Sequence, residues 1–510
     1  MITSSNSLET VVLGGNSVIE TFTSNNLYST PNVNETAFLQ IIGGIAINDT
    51  LTFTFGGNTL VFTAVATPDN SGLQIRAHTT QLNAPEAVAV LIEDLNKNFI
   101  LNSNYTISPW LVVGNNAILI INKPLNTSHN LTITNSSQAI NSAIISNGQA
   151  AIVRPNFNFI IEVLIEEVFN SGLFTKVISS ELTPNSSQVA EFDFSSIINN
   201  YPTTSLPIIG TTNISSGNNM IKRWRYRYGE RYGTTPVVYS MTESADFFVV
   251  NGGFKKEIAA QKTFLASFIV QDQSFLTNSP ADKIITTTQP EFLYYLANFA
   301  STSLTLRVKF YYKDETDSTS QIITALGINL NNIYIIPVNY SLVSVAIDIL
   351  KDLDYYEVYL TNQNNTVVSK TIKYTVVAEN SKSRYFFFKN EFGAIETIHF
   401  DGESSEGIEV TKKYFDRYLE KNYSLQDFES VSYSITSKDT YTVNSGIKTI
   451  AEMDHLKEFL NSPETFELKN GVLYPIQLDV KNISLYNNSE KDLPNVTLKY
   501  SSAFTNKNQT

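Results

Sequence analysis

Apolar and polar residues alternate along much of the 510-residue chain, with the two-residue period of half-buried β-strands. In the segment 304–310 every second residue is apolar, which places these side chains on one strand face: Leu304, Leu306, Val308 and Phe310. Runs of the same kind occur at 157–165, 189–194, 355–361, 474–480 and 496–500. The pattern predicts a mainly β fold.

Two turn signals join strands into hairpins. The residues at 56–58, Gly-Gly-Asn, lie between alternating runs at 51–55 and 60–65. Glycine and asparagine accept the positive φ angles that tight hairpin turns need, so a hairpin is predicted here. A second hairpin tip is predicted at 362–365, where the sequence is Asn-Gln-Asn-Asn.

Two segments show the helical period instead. The first is predicted over 84–99, starts with Pro85 and Glu86, and carries apolar residues at helical spacing: Val88, Leu91, Ile92, Leu95 and Phe99. The second is predicted over about 450–460, and its apolar face consists of Met453, Leu456, Phe459 and Leu460. We expect this second helix to cover a sheet.

The length exceeds the roughly 250–300 residues that one core can serve, so several domains are expected. Residues 1–35 are rich in Ser, Thr and Asn and are predicted to form an N-terminal arm or a few edge strands. Residues 36–150 are predicted to form a small α+β domain. Two β-sandwiches of the immunoglobulin or fibronectin type are predicted at 151–245 and 246–375. Residues 376–510 are predicted to form a C-terminal β-barrel-like or sandwich domain with one helix.

Composition narrows the classes of function. Aromatic residues make up 12% of the chain, and their preference for strands agrees with the β pattern. The net charge of −13 argues against binding nucleic acid or anionic membrane surfaces, because both need an excess of Lys and Arg. The absence of Cys excludes disulfides, thiolate nucleophiles and Cys-ligated metals. The start has no signal-peptide pattern, and no run of about 18 apolar residues predicts a membrane span.

Candidate catalytic and metal-binding residues are few and scattered. The four histidines, His78, His129, His399 and His455, have no metal-ligand spacing, and no phosphate loop or nucleophile elbow is present. We therefore expect no cofactor and no enzyme activity, although a site assembled in space stays open.

Two acidic groups are candidate sites. Glu162 and Glu166 share a strand face while Glu167 faces the other way, so solvated strand charges are favoured over a glycoside-cleaving pair. The loop 401–407 is acidic enough to bind Ca²⁺, but it lacks EF-hand spacing, and an ordinary acidic loop is favoured.

The segment 222–232 is the most distinctive, because basic and aromatic residues alternate in it. A strand would place one set on each face, and these are the residues considered for an interface or ligand contact: Arg223, Trp224, Arg225, Tyr226, Arg227 and Tyr228. An open face of this kind can stack sugars or bases. The favoured interpretation buries the aromatic residues in a core and pairs the arginines with acidic neighbours, within the chain or across a subunit interface.

Several segments resemble tail structural proteins of tailed phages and prophages of Bacteroidetes hosts. The resemblance spans most of 150–510 and lies in strand-and-turn runs at 189–198, 226–233, 249–253, 275–280, 385–393, 397–403, 460–464, 474–476 and 500–505. The order of a helix followed by strands near the C-terminus is similar to barrel domains of tail-hub and distal-tail proteins. None of these runs contains a catalytic motif.

The resemblance implies a non-catalytic virion protein of the tail tip, baseplate or distal-tail region, assembled in the cytoplasm of the bacterial host. Its partners would be further copies of itself, as a ring or trimer, and other tail proteins. A receptor- or glycan-binding adhesin that contacts a host surface glycan is the main alternative. An enzyme that cleaves glycan or peptidoglycan is the third.

Overall fold

The computed structural model describes residues 2–30, 33–69, 71–78, 84–112, 115–123, 130–146, 149, 151–481, 483, 485 and 493–508. His129 lies outside them. The N-terminal strands are β1 (Ile2–Ser4), β2 (Val11–Leu13), β3 (Ile19–Ser24) and β4 (Tyr28–Thr30). The following elements are β5 (Thr36–Ile41), β6 (Thr50–Phe55), β7 (Asn58–Val65), β8 (Gln74–Arg76), α1 (Ala84–Asn96), α2 (Phe99–Asn104), β9 (Tyr105–Val112), β10 (Asn115–Asn122), β11 (Thr132–Asn135) and β12 (Ile140–Ser146).

The middle of the chain is almost entirely β. Its first part contains β13 (Ile152–Val153), β14 (Asn158–Glu166), β15 (Phe174–Leu182), β16 (Val189–Asp193), α3 (Ser195–Ile198), β17 (Ser215–Ser216), β18 (Ile221–Tyr232), β19 (Val237–Val238), β20 (Thr242–Glu243) and β21 (Phe247–Val250). Its second part contains α4 (Lys256–Ala259), a π-helix (Phe264–Gln271), β22 (Asp282–Thr286), β23 (Phe292–Ala297), β24 (Ser301–Tyr312), β25 (Asp317–Ile328), β26 (Asn332–Pro337), α5 (Tyr340–Val343), β27 (Leu353–Asn362) and β28 (Ile372–Val377).

The C-terminal part adds one helix and eight strands. They are β29 (Arg384–Lys389), β30 (Ile395–Phe400), β31 (Ser404–Asp416), β32 (Ser430–Asn444), α6 (Ile450–Asn461), β33 (Thr465–Lys469), β34 (Val472–Leu478), β35 (Thr497–Ser502) and β36 (Asn506–Asn508). Strands hold 48% of the residues and helices 12%, which confirms the predicted mainly β, multidomain fold. In the part of the chain that the structure describes, no helix is both long and apolar enough to cross a membrane.

Residues 36–146 form an α+β unit with two four-stranded sheets, ordered β12-β5-β10-β9 and β11-β6-β7-β8. The predicted hairpin is confirmed as β6 and β7, and Gly56 and Gly57 make its turn at φ angles of 53° and 81°. The predicted helix is confirmed as α1, but it ends at Asn96. Asn98 is extended and caps a second helix, because its side chain accepts a hydrogen bond of 2.9 Å from the Leu101 N–H.

The N-terminal strands belong to a sandwich with residues 151–250. The sheet β15-β14-β18-β21-β2 packs against the sheet β1-β3-β16, and their facing side chains form one buried cluster. Strand β2 runs parallel to β21 at the sheet edge. The segment predicted as an arm is therefore packed into a core, and Phe22 from β3 is fully buried.

A second sandwich follows, with the sheet β22-β28-β27-β24-β25 facing the sheet β17-β26-β23. Strands β23 and β26 are buried on both faces. Tyr295 points into this sandwich, whereas its neighbour Tyr294 joins a second cluster with Val11 of β2 and Phe387 of β29. The predicted hairpin tip is confirmed after β27, where Asn365 adopts a φ of 60°.

The C-terminal unit is an eight-stranded sheet ordered β30-β29-β33-β34-β35-β32-β31, with β36 beside β32. The predicted helix is confirmed as α6, and its face of Met453, Leu456 and Phe459 is buried on this sheet. Thr449 and Glu452 form a reciprocal capping box that fixes where α6 begins. The helix therefore covers one face of the sheet, and β31 is an edge strand of that sheet.

Candidate functional site

Strand β18 places its aromatic residues inside the protein. Trp224 and Tyr226 have no exposed surface and pack against Phe194 and Phe247, with ring centroids 5.0–5.8 Å apart. Burial raises the pKa of Tyr226 to about 12. The prediction that Trp224 and Tyr226 contact a ligand or a partner is therefore wrong, because the two sheets of the sandwich bury both side chains. Tyr228 is half-buried at the edge of the same cluster.

The arginines on the other face of β18 are paired within the chain. Arg223 contacts the buried Glu166 and lies 3.3 Å from Asp246, and Arg225 lies 2.7 Å from Glu243. The remaining pair joins Arg227 to Glu162 at 2.7 Å. Glu162 and Glu166 therefore do not form a catalytic carboxylate pair, because each is paired with an arginine guanidinium instead. The favoured interpretation of this segment, core aromatics and paired arginines, matches the geometry.

The acidic segment at 401–407 was predicted to be a loop, but Ser404 to Gly407 belong to strand β31, and its carboxylates lie beside basic side chains. Asp401 lies 3.2 Å from the His399 ring and 3.6 Å from Lys448. Burial opposes ionisation of Asp401, but these two neighbours outweigh it and hold its pKa at about 2. Glu406 lies 3.1 Å from Arg384. The loop is neutralised by side chains of the same chain, so it offers no free set of oxygen ligands for Ca²⁺.

A different surface is open. Strands β31 and β32, residues 404–444, form what we call the long hairpin, which extends about 40 Å at 3.3 Å per residue. At its root β32 pairs with β35 and β36, but only as far out as Ile435. Beyond Ile435 the two strands have only each other among the described residues. Such an isolated two-stranded ribbon is marginally stable in water, so a further contact would stabilise it.

The outer part of the long hairpin is rich in exposed apolar side chains. From Glu403 to Ser430 every residue is exposed except the half-buried Leu419. Tyr418 and Leu425 at the tip are fully exposed, and Phe428 is 71% exposed. Further exposed apolar residues on the hairpin are Ile408, Val410, Tyr414, Phe415, Tyr423 and Tyr433. Exposed apolar side chains concentrated in this way are typical of contact surfaces.

A buried acid–histidine cluster lies on the other side of the same sheet. Glu396 of β30 and His455 and Glu458 of α6 each offer one ligand atom, and these atoms lie within 4.8 Å of one another. The His455 Nε2 is hydrogen-bonded to one oxygen of Glu396. Asn278 donates its Nδ2 hydrogen to Glu458 Oε1 at 2.5 Å, and Asn390 donates to Glu396.

The two carboxylates of this cluster titrate differently. Burial and the charge of Glu396 raise the pKa of Glu458 to about 7. Burial also opposes ionisation of Glu396, but the charge interaction and hydrogen bond with His455, together with Lys283, lower its pKa to about 2. Glu396 is therefore ionised at neutral pH, whereas Glu458 keeps its proton to a higher pH than an ordinary glutamate does.

The sequence did not reveal this cluster, because Glu396 is far from His455 and Glu458 along the chain. The only local signal is the spacing of His455 and Glu458, three residues apart on one helical face. The open edge of β31 was also missed, since its alternation resembles that of a covered strand. Among the described histidines, His399 pairs with Asp401 and His455 pairs with Glu396, and these two histidines line the same small cavity.

Comparisons with known proteins identify no family for the chain. No protein-family model matches it, and no curated protein matches it. One solved structure that it is compared with is the trypsin-activated alpha-2-macroglobulin from Escherichia coli, at 9% identity and a TM-score of 0.14, covering 94% of this chain and 30% of the macroglobulin. Another is the BSP domain of a biofilm-associated protein, at 9% identity and a TM-score of 0.13, covering 86% of this chain and 93% of that domain. The chain thus spans less than a third of the macroglobulin's length, and the low TM-scores give neither similarity any bearing on function.

Proposed function

We propose that the protein is a non-catalytic structural component of an assembly, of the phage-tail type that its sequence resembles, and that the long hairpin binds a second copy of the chain. The observation that carries this proposal is the fully exposed apolar tip of a ribbon whose outer part is paired with no further strand within the described ranges. Tyr418 and Leu425 lose their contact with water only if another molecule covers them.

The charges of β31 favour a second copy as the partner. Its first half carries Glu406 and Glu409, and its second half carries Lys412 and Lys413. When two copies of an edge strand pair antiparallel about a two-fold axis, the acidic half of each lies beside the basic half of the other. Among the described residues, Glu409, Lys412 and Lys413 form no ion pair, so they are available for this contact. With a net charge of −13, two copies repel each other over most of their surfaces. The complementary charges of β31 would attract at one position and so determine where the copies bind.

Light scattering of the purified chain over a concentration series tests the proposal. We expect the wild-type chain to associate. The double variant Lys412→Glu with Lys413→Glu should raise the dissociation constant by about tenfold or more, equivalent to ~1.4 kcal/mol. Adding Glu409→Lys to that variant restores part of the charge match and should restore part of the association. A chain that stays monomeric at every concentration, or a triple variant that stays as weak as the double variant, contradicts the proposal.

The tail assignment has its own test. Gold-labelled antibody against the chain should mark one region of purified phage particles, and label found only on free protein would contradict it.

The adhesin alternative predicts binding on a saccharide array that is lost when residues 413–434 are replaced by Asn-Gly. That shortened hairpin keeps Lys412 opposite Ile435 and leaves the pairing of β36 intact. Saccharide binding that depends on the tip would replace the assembly proposal.

A further inference from the structure

We propose that Glu396, His455 and Glu458 bind one divalent transition-metal ion that joins α6 to β30, a site independent of the long hairpin. The three side chains offer one imidazole nitrogen and two carboxylate oxygens within 4.8 Å of one another. Nitrogen and carboxylate ligands together suit Zn²⁺ and Mn²⁺, whereas Mg²⁺ and Ca²⁺ prefer oxygen alone. The spacing of His455 and Glu458 projects both from one face of α6 toward the sheet.

An unsatisfied carboxylate oxygen is the second observation that indicates a ligand. Glu458 is only 9% exposed, and its Oε1 accepts the hydrogen bond from Asn278. Its Oε2 is buried and has no hydrogen-bond partner among the described residues. A buried carboxylate oxygen without a partner is costly, because it has lost its water and gained nothing in return. A metal ion bound between the three side chains would remove that cost.

The local charge balance also favours a cation. Glu291, Glu396 and Glu458 are buried within one region, and two buried ammonium groups lie near them, Lys283 and Lys448. Lys448 is engaged by His399 and Asp401. Lys283 is already engaged, with its Nζ 2.5 Å from Glu291 and 2.8 Å from the Thr397 carbonyl. Among the described residues, His455 is the basic side chain that hydrogen-bonds to this pair of carboxylates, and Lys283 acts on Glu396 through its charge only. A divalent ion bound between the two carboxylates would balance their charge.

The surroundings hold the ligands in place. Asn390 donates to Glu396, and Asn278 donates from its side chain to Glu458 and from its backbone to Glu396 at 3.4 Å. The ring of Phe388 lies 5.4 Å from the His455 ring and shields it from water. Outer hydrogen bonds of this kind orient metal ligands and strengthen binding. Because Asn278 precedes β22, the ion would also link the second sandwich to the C-terminal unit.

Metal titration of the full chain, first stripped with EDTA, tests the proposal. We expect Zn²⁺ and Mn²⁺ to bind at one ion per chain and to raise the melting temperature, and Mg²⁺ at the same concentration to do neither. Co²⁺ should give visible absorption bands that report coordination by nitrogen and oxygen.

Glu458→Gln is the decisive variant, because glutamine has the shape of a protonated glutamate and can still accept from Asn278. It should fold and should weaken Zn²⁺ binding by about 100-fold. The matched control is Glu467→Gln, which changes a buried carboxylate 2.7 Å from Arg384 and 2.9 Å from Lys469 and should leave Zn²⁺ binding unchanged.

Three results would overturn the metal site: no binding of Zn²⁺ or Mn²⁺, equal binding of Mg²⁺, or unchanged Zn²⁺ affinity in the Glu458→Gln variant. Light scattering of the same stripped and loaded samples separates this site from the assembly proposal. If the chain associates but binds no metal, only the metal site is rejected. If it binds metal but does not associate, only the assembly proposal is rejected.

Discussion

Strand β18 and the long hairpin share an alternating pattern of residues but have opposite surroundings. Both alternate aromatic or aliphatic side chains with charged ones, yet Trp224 is fully buried and Tyr418 is fully exposed. The difference lies in the neighbours. Strand β18 has β14 on one edge and β21 on the other, with a second sheet packed on its aromatic face. Strand β31 has β32 on one edge only.

The comparison shows that alternation reports a strand but not what covers it. In β18 the charged face is satisfied by guanidinium–carboxylate pairs from adjacent strands, such as Arg223 with Glu166. On β31 the charges of Lys412 and Lys413 have no such partners among the described residues. We therefore expect substitutions in β18 to change folding, and substitutions at the hairpin tip to change association.

The largest expected effect is that of Trp224→Ala. Removing a fully buried indole from its contacts with Phe194 and Phe247 leaves a cavity and should lower the free energy of unfolding by about 3–5 kcal/mol. Urea denaturation followed by tyrosine fluorescence measures the loss. A change below about 1 kcal/mol would show that the two sheets do not close over this residue.

Glu458 differs from both regions, because it is buried without full pairing. Its pKa is raised from 4.5 to about 7, so the folded chain holds this proton more tightly than the unfolded chain does. The resulting stability is complete below pH 4.5 and is lost as the pH rises through 7. In EDTA, the wild type should therefore lose about 2–3 kcal/mol relative to Glu458→Gln between about pH 5 and pH 8. Parallel pH profiles for the two proteins would contradict this.

A paired buried carboxylate should show an intermediate effect. Glu166→Gln leaves Arg223 with Asp246 alone and should cost about 2 kcal/mol, since hydrogen bonds to charged groups are the strong ones. The control is Glu181→Gln, which breaks the exposed pair with Arg231 and should cost less than about 1 kcal/mol. Equal losses in thermal unfolding would mean that burial does not distinguish the two pairs.

The smallest effect on stability is expected at the tip. Tyr418→Ser with Leu425→Ser removes no contact from a core and should change the free energy of unfolding by less than about 0.5 kcal/mol. The same variant should weaken association in light scattering. If instead it unfolds the protein, the tip packs against the rest of the chain, and the contrast with β18 fails.

Much of the fold was predictable from local signals. The helix α6 followed from the spacing of Met453, Leu456 and Phe459, and the hairpin of β6 and β7 followed from Gly56 and Gly57. Both depend on residues close in sequence. The end of α1 was missed because the cap at Asn98 competes with a periodic apolar pattern that continues to Phe99.

Features that depend on distant residues could not be predicted. The meeting of Glu396 with His455 requires β30 and α6 to pack, and no spacing along the chain encodes it. Arg223 could be assigned to a charged strand face, but its partner Glu166 lies on another strand. Tyr418 gave no sign of exposure, because exposure is decided by which strands are missing beside it.

The parallel pairing of β2 with β21 has a consequence for the order of synthesis. Val11 leaves the ribosome long before its partner Phe248 has been made. At translation rates of about 5–20 residues per second, the delay is on the order of 10–50 s. Throughout that interval Val11 and Leu13, which are buried in the folded chain, have no partner strand, so we expect chaperones to bind this segment of the nascent chain.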